Sequence, residues 1–339
     1  MKGGVIQPVL HIHFETRSNK PGVFHFTREL IDAAVARANP VDMRTTLGSD
    51  LKELDALATV NGLVTSNDVL RDPGFPLAML AQAAPRLRWI HIIGAGIEPL
   101  LPLDWLPPGL TLTNNSGIHA PKAQEFATMA LLMLNSRMPA IQGNQRAAHW
   151  EPIFTPVIAG RTVAIIGVGE MGGAVARAAR RLGMRVIGIR RDVRPHDDVD
   201  GMRGTDRLPA TLAEADFVVV ATPLTPATAH LIDRKALTAM KRGAGLLNIG
   251  RAGVVDYDAL CTALIDGTIS GAILDVFDPE PLPPDSPLWS TPNLIITPHC
   301  SSDDLEHYLP LTLDLVFENA ARLASGGELK NRVDPGRGY

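Results

Sequence analysis

Short runs of apolar residues alternate with amphipathic stretches along almost the whole chain. In the first hundred residues, the apolar runs VLHIHF, NGLVTS and RWIHIIG predict strands, and residues 28–37 and 77–84 have the apolar spacing of helices. Another short run, TLTN, precedes a longer helical stretch over residues 123–134. Strands that alternate with helices favour parallel sheets covered by helices.

A second series of runs begins after Gly160. TVAII, MRVIGI, DFVVVA, AGLLNIG, SGAILDV and NLIITPH predict six strands, enough for a complete doubly wound sheet. A last helix over residues 309–323 is expected to fold back onto the first sheet. The sequence therefore predicts an α/β protein with two Rossmann-like doubly wound domains. The first, the substrate domain, is discontinuous (1–112 and 302–339) and completed by the C-terminal helix; residues 113–301 form the dinucleotide-binding domain.

Composition, charge and hydropathy argue against several classes of function. The chain has 339 residues, 45% hydrophobic and 20% charged, with a net charge of −4 and no long run of either sign. It therefore lacks the basic patch of a nucleic-acid or membrane-surface binder, and no apolar run approaches the about 20 residues that span a bilayer. The N-terminal stretch MKGGVIQPVLHIHFETR is expected to form a strand rather than a signal peptide. Cys261 and Cys300 form neither a metal-ligand spacing nor a disulfide framework, so we expect a protein of the reducing cytoplasm without a metal ion.

A glycine-rich loop follows TVAII and precedes a helical run with one apolar face. Gly167 permits a tight turn, Gly169 lets the backbone approach a pyrophosphate, and Gly172 allows close helix–strand packing. The helix N-terminus adds free N–H groups and a positive dipole end. The alternative is an ordinary strand–helix turn, which the order of strand, loop, helix and strand disfavours. The predicted cofactor loop comprises Gly167, Val168, Gly169, Glu170, Met171 and Gly172.

The next strand, MRVIGI, ends at two arginines, Arg190 and Arg191. A site for NAD has Asp or Glu at this position, where a carboxylate accepts hydrogen bonds from the ribose hydroxyls. A carboxylate repels a 2′-phosphate, whereas arginine attracts it with a planar fork of donors. The alternative is two solvated surface arginines, with Asp192 available to pair with either. We expect NADP(H) to be preferred over NAD(H).

Three more loops carry residues able to do chemistry, each at or just beyond the end of a predicted strand: Arg251, Glu280 and His299. Open α/β sheets bind ligands at that edge. Histidine can donate a proton to a carbonyl oxygen, a carboxylate at its other ring nitrogen fixes the tautomer, and arginine can bind a carboxylate. Taken singly, each could be a loop or strand-end residue without a catalytic role. Together they fit the interconversion of a ketone and an alcohol by hydride transfer.

The chain resembles the D-isomer-specific 2-hydroxyacid dehydrogenases over nearly its whole length. The similar motifs are GRTVAIIGVGEMGGAVA, ATPLTPATAHLI, LLNIGRAGVVDYDAL, GAILDVFDPEPLP and SPLWSTPNLIITPH. The resemblance implies that Arg251 binds and polarises the substrate, Glu280 supports the histidine and His299 is the acid/base. Arg190 replaces the family's usual aspartate, as in the NADP-using glyoxylate/hydroxypyruvate reductase and 2-ketoacid reductase branch.

The resemblance also implies binding residues. Gly94, Ala95 and Gly96 would hold the substrate carboxylate, together with Arg251 and His299, in a cleft between domains. A homodimer would form through the cofactor domains, and in some relatives a partner tryptophan enters the cleft, at about the place of Trp150. Besides the glycine loop, Arg190 and Arg191, the implied cofactor-binding residues are Thr222, Pro223, Thr228, Ile249, Gly250, Arg251, Asp275 and His299.

The sequence thus predicts an NADP(H)-preferring dehydrogenase that reduces a small 2-oxoacid (glyoxylate, hydroxypyruvate or a bulkier one) to the D-2-hydroxyacid. One alternative is a dinucleotide-sensing regulatory protein on the same scaffold, although the chain has no disordered or basic tail for recruiting partners. A relative of phosphite or formate dehydrogenases is a second alternative. The end of the chain at residue 339 disfavours the long form of phosphoglycerate dehydrogenase.

Overall fold

The computed structural model describes residues 9–19, 24–38 and 42–336. Residues 1–8 of the N-terminal stretch considered above lie outside this part. The chain divides into two compact units: unit 1 extends to Ile118 and resumes at Asp304, and unit 2 is His119–Asp303. The sequence places these divisions after residues 112 and 301. The strand Thr111–Asn114 pairs with Trp89–Ile92, which keeps it in unit 1.

The strands and helices are numbered in chain order. Up to residue 118 they are β1 Leu10–Thr16, α1 Arg28–Ala38, β2 Met43–Ser49, β3 Gly62–Thr65, α2 Asn67–Leu70, α3 Leu80–Ala83, β4 Trp89–Ile92 and β5 Thr111–Asn114. They continue with α4 Ala120–Asn135, α5 Met138–Arg146, β6 Thr162–Ile166, α6 Glu170–Arg181, β7 Arg185–Ile189, β8 Gly201–Arg203, α7 Leu208–Glu214 and β9 Phe217–Val220. The last are α8 Arg234–Ala239, β10 Gly245–Asn248, α9 Tyr257–Ile265, β11 Gly271–Leu274, β12 Leu294–Ile296 and α10 Tyr308–Ser325.

Unit 1 is built on a parallel sheet in the order β2-β1-β3-β4-β5. Ile12 and Phe14 of β1 are buried in one apolar cluster with Phe317 of α10, so the C-terminal helix completes this unit as predicted. The opposite face of β1 carries buried polar side chains, His13 and Glu15 among them. The loop Gly94–Gly96 follows β4 at the carboxyl edge of the sheet.

Unit 2 contains a parallel sheet in the order β12-β11-β10-β9-β6-β7-β8. The central strands are buried along their whole length, as in TVAII of β6 and FVVV of β9. Continuous apolar strands of this kind need helices on both faces, and two separate apolar clusters lie on the sheet. The change of strand order between β6 and β9 is a topological switch point, where open α/β sheets bind ligands.

The predicted strands are present, but two observed strands were not predicted. In β2, MRTTLGS, only Met43 and Leu47 are strongly apolar, and it lies at a sheet edge. β8 has three residues and is also an edge strand. Residues 77–84 form a 3₁₀ turn, Leu77–Met79, followed by α3 rather than one continuous helix. Across the described part of the chain, no helix has the length and hydropathy needed to cross a bilayer.

Candidate active site

The glycine loop has the local geometry that a dinucleotide requires. Gly167 has φ +91°, and a Cβ there would lie 2.8 Å from the Ala221 carbonyl oxygen and the Thr222 backbone. A Cβ on Gly172 would lie 1.9 Å from the Gly167 carbonyl oxygen, so only glycine lets α6 approach β6 so closely. By contrast, a Cβ on Gly169 would meet no atom within 4 Å. There is therefore open space before the free N–H groups that begin α6, which fits a pyrophosphate.

The other residues of the glycine loop differ in burial. The Val168 side chain is buried in an apolar cluster of unit 2, Met171 is half-buried and Glu170 is exposed. The loop after β9 lies beside the turn at Gly167, and the loop after β10 lies beside the loop after β9, since a Cβ on Gly250 would be 2.8 Å from the Thr222 carbonyl oxygen.

In these neighbouring loops, the predicted residues Thr228 and Ile249 make contacts within the protein. The Thr228 hydroxyl donates to the Pro223 carbonyl over 2.7 Å and accepts from the Thr225 N–H. The Ile249 side chain is buried and its N–H donates to the Val220 carbonyl. Thr228 and Ile249 thus stabilise the conformation of these loops through contacts within the protein.

Arg190 directly follows β7 and is half-buried. Its N–H donates to the Arg203 carbonyl over 3.1 Å, which fixes its backbone. Within the described residues, its guanidinium makes no ion pair or hydrogen bond. Asp192, the acid available to pair with it, lies 3.8 Å from Arg194 instead. An unpaired arginine at the end of this strand fits a 2′-phosphate, and the exposed Arg191 stands next to it.

His299 and Glu280 form a direct pair. The His299 Nδ1 lies 2.8 Å from Glu280 Oε2, and the other carboxylate oxygen accepts the Phe277 N–H over 2.8 Å. Within the described chain the imidazole Nε2 has no hydrogen-bond partner, and the side chain is 48% exposed. His299 also has φ +49°, a backbone strain of the kind found at functional sites. The carboxylate therefore orients the ring and leaves Nε2 open to a substrate.

Asp275 is hydrogen-bonded to the loop that carries His299. It is fully buried and accepts hydrogen bonds from the Thr297 hydroxyl, at 2.6 Å, and from the N–H groups of Cys300 and Ser301, both at 3.0 Å. The carboxylate is therefore used to hold the loop that presents His299. The role of Asp275 in cofactor binding, which the resemblance implies, stays a prediction.

Arg251 extends from the loop after β10. Its Nη1 donates to the Gly250 carbonyl over 2.8 Å, and its own carbonyl accepts from Asn248 Nδ2 over 3.1 Å. The same Asn248 amide donates to the Tyr257 hydroxyl over 3.1 Å. Asn248 and Tyr257 were not singled out in the sequence, although both lie in the arginine motif LLNIGRAGVVDYDAL.

A second histidine–carboxylate pair lies near His299 and was missed in the sequence. His119 Nδ1 is 3.2 Å from the Ser302 carbonyl oxygen and 4.0 Å from Asp303 Oδ1. Burial lowers the pKa of His119, and the nearby charges of His299 and Arg251 lower it further. Burial raises the pKa of Asp303, against the opposing effect of His119 and His299. Asp303 lies four residues after His299 in the sequence. This proximity was the signal that could have pointed to the pair.

In unit 1, the loop Gly94–Gly96 presents its backbone N–H groups. Its three carbonyls are occupied: Gly94 accepts from the Asn115 N–H at 3.1 Å, Ala95 from Asn114 Nδ2 at 2.7 Å and Gly96 from Asn67 Nδ2 at 2.9 Å. None of the three N–H groups donates to another described residue. Neutral donors that are fixed and unused suit a carboxylate.

The remaining predicted site residue, Trp150, is 94% exposed in the segment after α5 of unit 2. Among the described residues, no group of three His, Cys, Asp or Glu side chains is arranged to hold a metal ion.

Comparison with known proteins gives the family. Residues 128–301 match the family model of the D-isomer specific 2-hydroxyacid dehydrogenase, NAD binding domain. A glyoxylate reductase from Korarchaeum cryptofilum is 36% identical over 268 residues, 76% of this chain and 79% of the relative.

Solved structures agree. A D-isomer specific 2-hydroxyacid dehydrogenase from Xanthobacter autotrophicus, crystallised with NADPH, superposes with a TM-score of 0.81 at 28% identity, over 98% of this chain and 100% of the other. An NADPH-dependent glyoxylate/hydroxypyruvate reductase from Sinorhizobium meliloti, in complex with NADP and sulfate, gives 0.77 at 26% identity, over 97% and 100%. The chain therefore belongs to the D-isomer-specific 2-hydroxyacid dehydrogenases, and it is a nicotinamide-dependent oxidoreductase.

Proposed function

We propose that the protein is an NADP(H)-preferring 2-oxoacid reductase in which His299 is the general acid/base. The observation that carries this proposal is the His299–Glu280 pair, with its 2.8 Å contact at Nδ1 and its open Nε2. A histidine held in this way can donate a proton from Nε2 to a carbonyl oxygen and recover it in the reverse direction.

The other residues have complementary tasks. A bound reduced nicotinamide supplies the hydride that reduces the carbonyl carbon. Arg251 binds the substrate carboxylate and draws electron density toward the carbonyl oxygen, where charge develops. Glu280 stabilises the charged imidazole and fixes its tautomer. The family resemblance assigns a substrate-carboxylate contact to the N–H groups of Gly94, Ala95 and Gly96, and their unused donors support that role.

Arg190 supports the preference for NADP(H). Its guanidinium lies at the end of β7 without an acidic partner among the described residues, and the glycine loop has open space before α6. The Sinorhizobium meliloti relative is named as NADPH-dependent, and the Xanthobacter autotrophicus structure holds NADPH. The relatives named glyoxylate reductase and glyoxylate/hydroxypyruvate reductase support a small 2-oxoacid as the substrate.

We also propose that two copies of the chain associate through unit 2. Five large apolar side chains are exposed on α4 and in the segment after α5: Met129, Leu132, Trp150, Phe154 and Val157. Trp150 and Phe154 are more than 90% exposed, and burial of such side chains against another chain would be favourable. A second copy is the occupant that the family resemblance implies, and Trp150 is then the side chain placed to reach the partner.

The test of the proposed function is the initial rate of NADPH and NADH oxidation with a panel of 2-oxoacids, including glyoxylate and hydroxypyruvate. We expect kcat/KM for NADPH to exceed kcat/KM for NADH by at least about tenfold, the effect of one charge-assisted contact. Equal kcat/KM for the two cofactors would contradict the role of Arg190. No turnover with either cofactor, despite cofactor binding, would contradict the reductase and favour a sensing protein.

A further inference from the structure

Tyr257 is the first residue of α9, and its side chain connects two of the candidate catalytic loops. Its hydroxyl donates to the Val276 carbonyl over 2.7 Å and accepts from Asn248 Nδ2 over 3.1 Å. Burial raises the pKa of this phenol above its usual range, so the hydroxyl keeps its proton and remains a donor. The ring packs edge-on against Phe277, with ring centroids 6.3 Å apart.

The hydrogen bonds on either side of Tyr257 lead to the reacting groups. On one side, Asn248 Nδ2 also donates to the Arg251 carbonyl, while Asn248 Oδ1 accepts the Gly250 N–H over 3.0 Å. On the other side, Val276 is followed by Phe277, whose N–H donates to Glu280, and Glu280 holds His299. One hydroxyl thus lies between the arginine loop and the carboxylate–histidine pair.

We propose that Tyr257 is a positioning residue, whose hydroxyl fixes the Val276–Glu280 segment so that Glu280 holds the His299 ring in its productive orientation. The inference rests on the proposed function only in assigning catalysis to His299. Tyr257 reaches neither substrate nor cofactor in this scheme and acts through Glu280.

The connections around Tyr257 predict which kinetic constant depends on it. An amide NH₂ has two donor protons, so Asn248 keeps its bond to the Arg251 carbonyl when the Tyr257 hydroxyl is removed. Substrate binding through Arg251 is therefore retained. The Val276 carbonyl, however, loses its side-chain donor, and the segment that carries Glu280 loses its restraint. The expected loss is in kcat and not in KM.

The experiment compares Tyr257→Phe, which keeps the ring and removes the hydroxyl, with Thr211→Val. Thr211 is a matched control because it is fully buried in α7 of unit 2 and its hydroxyl also donates to a backbone carbonyl, that of Arg207, over 2.9 Å. We expect Tyr257→Phe to lower kcat by about tenfold to hundredfold, the range for a slightly misplaced catalytic group, with the KM for the 2-oxoacid within about twofold. Thr211→Val should change neither constant.

A second readout needs no cofactor. In protein labelled with ¹⁵N-histidine and assigned with His299→Asn, the Nδ1 proton shared with Glu280 should give a downfield signal. This signal should weaken or shift in Tyr257→Phe and remain in Thr211→Val.

Three outcomes would overturn the positioning role. The first is a wild-type kcat in Tyr257→Phe, and the second is an unchanged His299 Nδ1 proton signal in that variant. The third is an equal change in kcat, in KM and in cofactor affinity in Tyr257→Phe and Thr211→Val. The proposed function fails separately if His299→Asn stays active. In that case the His299 signal alone decides whether Tyr257 positions the ring.

Discussion

The carboxyl edges of the two sheets have the same parallel-strand architecture but carry different chemical groups. In unit 1 the loop after β4 offers backbone N–H groups, and three neutral asparagines hold its carbonyls. In unit 2 the corresponding loops carry charged side chains, with Glu280 against His299 at their centre. One edge is suited to hold an anion without taking part in the reaction. The other edge can move a proton.

The difference also shows in two histidines. His91 of β4 is fully buried between Thr113 and Asn115, and burial lowers its pKa to about 4. It stays neutral and serves the packing of unit 1. His299 is half-exposed, paired with a carboxylate and strained at φ +49°. A histidine is therefore a candidate acid/base when a carboxylate holds one ring nitrogen and the other nitrogen is open.

The largest effect should come from unit 2. In Glu280→Gln the charge that supports the imidazolium is lost, so we expect kcat to fall by about a hundredfold or more, within the range for acid–base catalysis. The KM for the 2-oxoacid and the dissociation constant of NADPH should stay within about twofold. Steady-state kinetics and NADPH fluorescence titration measure these constants. A rise in KM with unchanged kcat would assign Glu280 to binding instead.

The second-largest effect is expected at Arg190, at the end of β7 in unit 2. In Arg190→Ser the KM for NADPH should rise by about tenfold to a hundredfold, since a hydrogen bond to a charged group contributes about 1.5–3 kcal/mol. The KM for NADH should not change, because it has no 2′-phosphate. Arg191→Ser is the matched control and should have the smaller effect. If NADH and NADPH lose affinity equally, Arg190 supports the loop and does not select the cofactor.

The stability of unit 1 should depend on pH through His91. Its folded pKa of about 4 lies below the ordinary value of 6.5, so the unfolded chain binds more protons between these values and stability falls as pH falls through that window. We expect a loss of about 2 kcal/mol from pH 7.5 to pH 5.0, measured by hydrogen-exchange protection of the β4 amides. His91→Gln should lose this part of the dependence. An identical pH dependence in both proteins would rule out His91 as its source.

The smallest effect is expected from a substitution that loosens the Gly94–Gly96 loop of unit 1. In Asn114→Ala the Ala95 carbonyl loses its side-chain donor, so the loop that presents the N–H groups becomes less fixed. We expect the KM for the 2-oxoacid to rise by about fivefold, the size of one neutral hydrogen bond, with kcat within about twofold. Asn319→Ala is the control, because Asn319 is buried in the same unit and bonds Lys330 instead. A fall in kcat alone would contradict a pure binding role.

The same comparison explains what could be predicted from the sequence. The charged residues of unit 2 lie in loops that follow apolar strands, so Arg251, Glu280 and His299 were singled out by their place after a strand. The glycine loop was found by its spacing and context. In unit 1 the donors belong to the backbone, and only resemblance pointed to Gly94, Ala95 and Gly96. Asn67 and Asn114, which hold that loop, come from α2 and β5 and had no local signal.

Contacts between distant residues account for the other omissions. Tyr257 and Asn248 were visible in a motif, but their shared hydrogen bond depends on the packing of α9 beside β10. His119 and Asp303 are 184 positions apart and meet only in the folded unit. β2 was missed because its pairing with β1 is satisfied by backbone hydrogen bonds, with few apolar side chains.

The most direct measurement is the rate of NADPH oxidation by wild type and His299→Asn with the best 2-oxoacid of the panel, together with NADPH binding to both proteins. The account predicts a loss in kcat of about a thousandfold, at the upper part of the range for an acid–base group, with NADPH affinity within about twofold. A His299→Asn enzyme that turns over at the wild-type rate would contradict it, and the proton donor would then have to be sought elsewhere, with His119 and Asp303 the nearest candidates.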